Sequence, residues 1–576
     1  MELSRREFIK MLMIASMAGS SRSMGSTGML SADPLENIYD APKYGDVSIL
    51  HFTDSHAQLK PIYFREPHIN LGIGSMRGHP PHLVGNAFLD FYGLPKGGLL
   101  RYGFTSIDFE EAAAQYGRVG GFAHLKTLIN QLRASRPHAL LLDGGDTWQG
   151  SATSLWTNAQ DMVDAQIALG VDVATGHWEF TFGADRVREV IEKDYKRAGI
   201  DFVAHNVYDT GFGDPVFKPY VIREQNGYKL AVIGQAFPYT PIANPRYMMP
   251  DWSFGIREDE LKKVIETARS EGAQVVVLLS HNGMDVDLKL AGRISGLDAI
   301  LGGHTHDAIP TPVEVRNAGG ITLVTNAGSS GKFLGVLDFE VRAAKVSGYR
   351  YRLLPVFSNR LAEDVPMAGL IQKIRAPYEK QLAEPLAITD KTLYRRGNFN
   401  GTFDQVILDA LMQELDAPIA FSPGFRWGVS LPAGKAITFE EVMAQTAITY
   451  PTVTRNVLSG RQIKQTLEEV ADNLFNSDPY YQQGGDMVRV GGLQYGIWPE
   501  RTIGERIVDM TLNGKPLDLD RQYPVGGWAA VAAPLKGRPI WDVVSTYLRG
   551  KKHIDKIDLN QPTILGMENN PGMAIP

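Results

Sequence analysis

LDAILGGHTHD, residues Leu297–Asp307, decides how the rest of the chain is read: a short apolar run ends in two glycines and then a His-x-His pair, His304 and His306. In an extended segment the side-chain period is two, so both imidazoles are expected on one side of the backbone, within reach of one metal centre. The pair alone also suits an ordinary hydrogen-bonded surface. Its weight comes from four earlier places with the same grammar, an apolar run that exits in Asp or His. VSILHFTDSHAQL gives a strand, Val47–Phe52, that leads to Asp54 and His56, again spaced i, i+2. HALLLDGGDTWQG gives a buried strand and a Gly-rich turn that reaches Asp146, with Asp143 as its support. GVDVATGHWEF delivers His177, Trp178 and Glu179, and the fully apolar AQVVVLLSHNG ends at His281.

Helical spacing separates these runs at Arg118–Arg133, at about Ala159–Leu169 and at Glu258–Glu271. DFVAHNV and KLAVIGQAF read as further strands, with His205 a packing residue rather than a ligand. Apolar strands alternating with helices predict a layered α/β domain, in which functional groups gather beyond the carboxyl ends of the strands. Strands near Ile321–Thr325 and Leu334–Val341 are expected to complete a second sheet, making a sandwich flanked by helices. Lys60–Gln115 reads as a long insertion with little periodicity, a lid or docking surface. Its His68, His79 and His82 read as loop residues, because no apolar strand presents them.

A chain of 576 residues with 44% hydrophobic content suits two large domains plus connectors. Residues 33–362 form the expected catalytic domain, with the insertion at 60–115. Glu363–Leu386 carries Pro366 and a helical run, giving a linker helix over 363–388. From about Ile388 a second alternation begins: a helix Phe403–Leu415, a strand PIAFSP, a Gly-rich turn with Phe425, Arg426 and Trp427, helices Phe439–Gln445 and Ser459–Phe475, and late strands such as RIVDMTLNG. This part, 389–576, lacks clustered metal ligands and reads as a substrate-binding domain. The net charge of -6 leaves no footprint for nucleic acid. There is no cysteine, which excludes disulfides and thiolate metal sites and leaves His, Asp, Glu and Asn as ligands. At the start, Ser4-Arg5-Arg6-Glu7-Phe8-Ile9-Lys10 precedes a short, moderately hydrophobic run, the pattern of a Tat signal that exports a folded protein to the periplasm. Signal and leader are expected over 1–32. The run, roughly ten residues, is too short to span a bilayer.

Together the ligand candidates are Asp54, His56, Asp146, His177, His281, His304 and His306. Seven N/O ligands exceed the needs of one ion and suit two divalent ions bridged by Asp146. Two such ions outweigh two aspartates and a bridging hydroxide in charge, so the site favours an anion. They would generate hydroxide near neutral pH and stabilise a tetrahedral centre under in-line attack.

Asp54-x-His56, Gly145-Asp146, Gly176-His177-Trp178-Glu179, His281 and Gly303-His304-Thr305-His306 resemble, in order and spacing, the dinuclear metallophosphoesterases of the 5′-nucleotidase family. The resemblance runs through GQAFPYTPIANP to Ser422-Pro423-Gly424-Phe425-Arg426, and covers nearly the whole chain after the signal. It implies a metallophosphoesterase-like β-sandwich flanked by helices, followed by a 5′-nucleotidase-like α/β domain. It further implies one ion on Asp54, His56, Asp146 and His306, the other on Asp146, His177, His281 and His304, and Arg426 as the substrate-binding fork.

The chain departs from that family where an Asn-His-Glu triplet is usual. His177 takes the place of the Asn ligand, and Trp178 that of the His acid that assists the leaving group. With the long insertion, this looks like the two-manganese thiosulfohydrolase branch that serves sulfur oxidation in the Sox system. That likeness implies attack by hydroxide on a cysteine S-thiosulfonate or S-sulfonate of the SoxYZ carrier, with release of sulfate. The alternative is a periplasmic 5′-nucleotidase or cyclic nucleotide phosphodiesterase. Loss of the acid has its own logic: a ribose alkoxide needs protonation to leave, whereas a thiol with a pKa of about 8.5 leaves largely as thiolate. The preference for manganese comes from the resemblance, since the ligands also permit zinc, iron or cobalt. Trp178 is expected to line a channel for a thin carrier arm, with Trp427, Tyr450 and Trp528 as candidate pocket walls.

Overall fold

Val275–Ser280 is buried at every position because its two faces meet different partners. Val275, Val277 and Leu279 enter the space between two sheets, whereas Val276 and Leu278 pack under helices through Leu261, Ile265 and Leu290. A strand that is apolar on both faces belongs inside a layered structure. The computed structural model describes residues Ile38–Ala574, and the export signal expected over 1–32 lies outside the described residues.

Both sheets of the first half have six strands. In the first, the order is β14 (Lys345–Pro355), β13 (Phe333–Arg342), β1 (Val47–Phe52), β2 (Leu140–Asp143), β3 (Val173–Ala174) and β4 (Asp201–Phe202). In the second it is β11 (Val313–Asn317), β12 (Gly320–Asn326), β10 (Ala299–Gly302), β9 (Val275–Ser280), β7 (Tyr228–Gln235) and β6 (Tyr220–Gln225). A separate two-stranded ribbon joins β5 (Tyr208–Asp209) to β8 (Trp252–Ser253). Val47, Ile49, Leu142 and Leu337 of the first sheet face Val232, Val277 and Leu301 of the second, which fixes the sandwich by apolar burial.

Register positions the site. Phe52 pairs with Asp143 and Asp143 with Ala174, while Gln235 pairs with Ser280 and Ser280 with Gly302. These strands run parallel, so their carboxyl ends finish level along one rim of the sandwich.

Three expectations need correction. Leu334–Val341 does not join the second sheet; β13 returns to the first and pairs antiparallel with β1, and only β12 completes the second. The helix expected from Arg118 begins at Phe122, because Val119 is extended and bridges Ile62 and Phe357. The insertion is substantially helical, with helices Gly85–Tyr92, Gly98–Phe104 and Phe109–Tyr116. Each is too short for a sustained 3.6-residue pattern, yet they bury Phe88, Leu89 and Phe104 against Phe333 and Leu353. His79 is exposed, while His82 is largely buried and pairs with Asp285 at 2.9 Å.

In the second half, helices Thr402–Glu414, Phe439–Thr446 and Ile540–Lys551 share one apolar core with strand Ile419–Ser422, through Leu411, Val442, Val543 and Ala420. That strand's carboxyl end carries the turn Pro423–Trp427 to the rim of the first half, where Trp178 and Ala152 belong to the same core. Of the linker helix expected over 363–388, only Val365–Arg375 and the short Glu379–Leu382 are helical, and Pro385–Thr389 is already a strand paired with Ala436–Thr438. No helix among the described residues is long and apolar enough to cross a membrane.

Candidate metal centre

The seven ligand candidates converge. All are buried, and they fall into two groups, Asp54, His56, Asp146 and His306, and Asp146, His177, His281 and His304, each with potential ligand atoms within 4.8 Å of one another. Asp146 belongs to both. His68, His79, His82 and His205 join neither group. His205 is a packing residue, its pKa lowered to about 4 by burial.

The backbone explains the convergence. Asp54, His56, Asp146, His304 and His306 have φ of 51°, 44°, 59°, 71° and 59°. A left-handed backbone is uncommon for such residues and marks a site held against local preference by its surroundings. It also corrects the reading of His-x-His as an extended pair with both imidazoles on one side of the backbone. Beyond β10 the chain turns, and His304 and His306 separate, one to each group. The turn needs Gly303, where a Cβ would come within 2.4 Å of Thr53 Oγ1 and 3.0 Å of Asp54 Oδ2.

Hydrogen bonds aim the ligands. His56 Nδ1 faces the Gln149 carbonyl at 3.0 Å and His281 Nδ1 faces the Gly144 carbonyl at 2.6 Å, so both nitrogens carry their protons there. The opposite nitrogens then face the site, that of His56 as a lone pair and that of His281 as an N–H whose proton a bound cation would displace. His56 Nε2 meets His306 Nε2 at 3.0 Å, and His281 Nε2 lies 3.0 Å from Asp146 Oδ2. His306 Nε2 lies 3.2 Å from Asp54 Oδ1, and His177 Nδ1 3.1 Å from Asp146 Oδ1. Buried ring nitrogens and carboxylate oxygens crowded together, with His304 Nε2 left without a hydrogen-bond partner, are complementary to cations that would displace the shared protons, so this donor set fits two ions.

The electrostatics agree. Burial alone would raise Asp146, but the imidazoles of His177 and His281 hold its carboxyl well below the usual range. Burial opposes charge on His281, yet Asp146 and Asp54 lift its pKa to about 10. Burial lowers His56, His177, His304 and His306, which keeps them neutral and able to ligate.

Support comes from the same turns. Trp178 N–H donates to Asp146 Oδ1 at 2.9 Å, and the Glu179 carboxylate accepts from the N–H groups of His177 at 2.8 Å and Thr147 at 2.7 Å, joining the two turns. Asp143 accepts from Gly145 N–H at 3.0 Å and from the Thr147 hydroxyl at 2.9 Å, which is the supporting part expected of it.

The second half closes the site. A cavity of about 160 Å³ is lined by His56, Asp146, His177, His304 and His306 on one side and by Phe425, Arg426, Trp427 and Gly484 on the other. Phe425 and Trp427 stack on each other, with centroids 4.1 Å apart and planes at 15°, and Trp427 stacks on His56 at 5.0 Å. Trp178 lies edge-on to both rings and parallel to Tyr450 at 6.2 Å. Trp528 donates to Ser422 Oγ at 2.8 Å and meets Phe425 edge-on. Arg426 donates to the carbonyls of Gly485 at 2.7 Å and His304 at 3.4 Å.

Several residues of the site escaped sequence reasoning. Phe237 packs against His177 at 4.0 Å and His304 at 4.2 Å. Asn244 reaches His177 Nε2 at 3.3 Å. Gly484 approaches so closely that a Cβ would lie 2.0 Å from His304 Nε2. Asp486 lies 3.6 Å from Arg426 Nε. Only the Gly484-Gly485 pair had a local signal, that of a turn.

Comparison with known proteins agrees with this anatomy. The calcineurin-like phosphoesterase family model matches residues 47–308, and the 5′-nucleotidase C-terminal domain model matches residues 382–534. The structure of a sulfate thiohydrolase SoxB from Thermus thermophilus is similar at a TM-score of 0.87 and 37% identity, covering 92% of this chain and 99% of that one. A 5′-nucleotidase precursor from Thermus thermophilus shares the fold at a TM-score of 0.71 and 21% identity, covering 90% and 99%. By sequence, a 5′-nucleotidase from Vibrio cholerae is 27% identical over 470 residues, 71% of this chain and 80% of that protein. With both halves matched in order and a 37% identical relative covered almost end to end, the chain belongs to the 5′-nucleotidase family of calcineurin-like metallophosphoesterases, a family of hydrolases.

Proposed function

We propose that this chain is a periplasmic thiosulfohydrolase of the SoxB type, exported through the Tat route. Its substrate is a cysteine S-thiosulfonate or S-sulfonate on a SoxYZ-like carrier. Water adds its oxygen to the terminal sulfone sulfur, the S–S bond breaks with its electron pair on the departing sulfur, and sulfate, a proton and the carrier thiol or persulfide result. Asp54, His56, Asp146 and His306 would hold one ion, and Asp146, His177, His281 and His304 the other, manganese being the preferred metal. When bound, the ions supply a nucleophile from water at neutral pH and neutralise charge on the attacked centre.

The chain's own residues do the rest. Arg426 presents a planar guanidinium to the sulfonate oxygens, and Trp178, Phe425 and Trp427 keep bulk water from the S–S bond. Residues 33–362 act as the catalytic domain, 363–388 as connector and 389–576 as substrate domain.

The observation that carries the reading is the aromatic closure of the cavity. A nucleobase held between Phe425 and Trp427 would need rings about 7 Å apart, twice a van der Waals contact of ~3.5 Å, whereas they stand 4.1 Å apart. At about 160 Å³ the cavity also falls below the roughly 300 Å³ at which ordinary small-molecule pockets begin. A slender sulfonated arm suits it. Trp178 offers no acid for an alkoxide, and a departing thiolate needs none. The nucleotidase reading draws on the names of several relatives.

Incubating the manganese-loaded protein with a carrier peptide bearing S-sulfocysteine, and separately with 5′-AMP, tests the proposal. Sulfate release that outpaces phosphate release by at least about 100-fold, the scale of a lost general acid, is expected. Rapid phosphate release with the S-sulfonate left intact would contradict it.

A further inference from the structure

His177 is distinguished from the other imidazoles of the site by what holds its outer nitrogen. His56 and His281 are fixed by backbone carbonyls, which can only accept. His177 Nε2 faces the side-chain amide of Asn244 at 3.3 Å, and that amide's oxygen receives the Tyr450 hydroxyl at 3.4 Å. Asn244 is 2% exposed and Tyr450 7%, so neither has water as an easy substitute partner. An amide can serve as donor or acceptor by turning over, and the two states correspond to two tautomers of His177. With the proton on Nδ1, toward Asp146, the amide donates to Nε2, which is the arrangement the structure shows, where Asn244 Nδ2 faces Nε2. With a lone pair on Nδ1, the proton moves to Nε2, the amide presents its oxygen, and its NH₂ group turns to the Tyr450 oxygen.

We propose that Asn244 and Tyr450 form a positioning relay that selects the His177 tautomer able to ligate an ion. Tyr450 comes from the second half of the chain, beyond helix Phe439–Thr446, and Asn244 from the turn after Thr240–Ala243 in the first. Retention of the ion on His177 therefore depends on how the second half is seated. The relay rests on the two-ion reading above, and deepens it by naming residues outside the ligand set.

The test compares wild type, Asn244→Ala, Asn244→Asp and Tyr450→Phe, each loaded with manganese, by counting bound ions and timing their loss to a chelator. Asn244→Ala is expected to lose one ion about 10- to 100-fold faster, the usual consequence of removing a partner behind a metal-binding imidazole, while the other ion stays. Asn244→Asp keeps an acceptor for Nε2–H and is expected within about threefold of wild type. Tyr450→Phe is expected between the two. Ion retention in Asn244→Ala equal to wild type, or loss in Asn244→Asp as fast as in Asn244→Ala, overturns the relay alone. A wild type that binds no ion overturns the two-ion reading and the relay with it.

Discussion

Asp146 and Trp178 are adjacent in space because the Trp178 N–H is spent on the Asp146 carboxylate at 2.9 Å. The side chain at position 178 thus starts at the rim of the site whatever its identity, and an imidazole there would enter the cavity. Trp178→His is expected to raise phosphomonoester hydrolysis about tenfold, less than the ~100-fold or more of a tuned general acid, because the surrounding aromatic rings are not arranged to orient it. Steady-state rates with 5′-AMP read this directly. His281 gives a second prediction. Its folded pKa of about 10 exceeds the ordinary 6.5, so in metal-free protein it contributes stability that is fully present below pH 6.5 and is lost as pH rises through 10. The contribution is on the order of a few kcal/mol. Thermal unfolding of chelator-treated protein should therefore show a falling melting temperature between pH 7 and 10. Metal-loaded protein, in which His281 is neutral throughout, should not show that fall.

At the scale of elements, the turn Pro423–Trp427 rests on a chain of alternating buried charges. Arg426 Nε lies 3.6 Å from Asp486, Asp486 binds Arg489 at 3.0 Å, Arg489 Nε lies 3.3 Å from Asp404, and Asp404 binds Arg395 at 2.7 Å. Arg395 returns to the turn by donating to the Pro423 carbonyl at 3.1 Å. Neutralising one member leaves uncompensated buried charge, so Asp486→Asn is expected to lower stability by about 3 kcal/mol. It should raise KM more than it lowers kcat, with ion content unchanged. Denaturant unfolding, kinetics and metal analysis together check this.

The same elements show what a sequence can reveal. The strand ends were legible because each is a run apolar enough for a buried strand followed at once by Asp or His, and parallel pairing brings such ends level. The separation of His304 from His306 was implied by the family resemblance but not legible in the spacing, because it depends on left-handed backbone set by Gly303 and its packing on Thr53. Asn244 and Asp486 were hidden for a different reason. They are ordinary polar residues whose importance comes from partners distant in the chain, His177, Tyr450 and Arg489. The insertion looked aperiodic because its helices are each only two turns long.

Taken whole, the molecule assembles its site from both halves. The insertion bridges Tyr63 to Ser430 and Ile69 to Met573. On another flank, Tyr480 of the second half donates to Glu258 at 2.6 Å, accepts from the Tyr239 hydroxyl and carries Lys289 over its ring at 4.0 Å. These contacts set the Phe425–Trp427 stack against His56 and Gly484 against His304, so the ligand cage has one wall from each half. Anomalous X-ray scattering from crystals of manganese-loaded protein tests that cage most directly. The account predicts two peaks, one amid Asp54, His56, Asp146 and His306 and the other amid Asp146, His177, His281 and His304, with Asp146 touching both. A single peak, or ions bound only elsewhere on the chain, would contradict it.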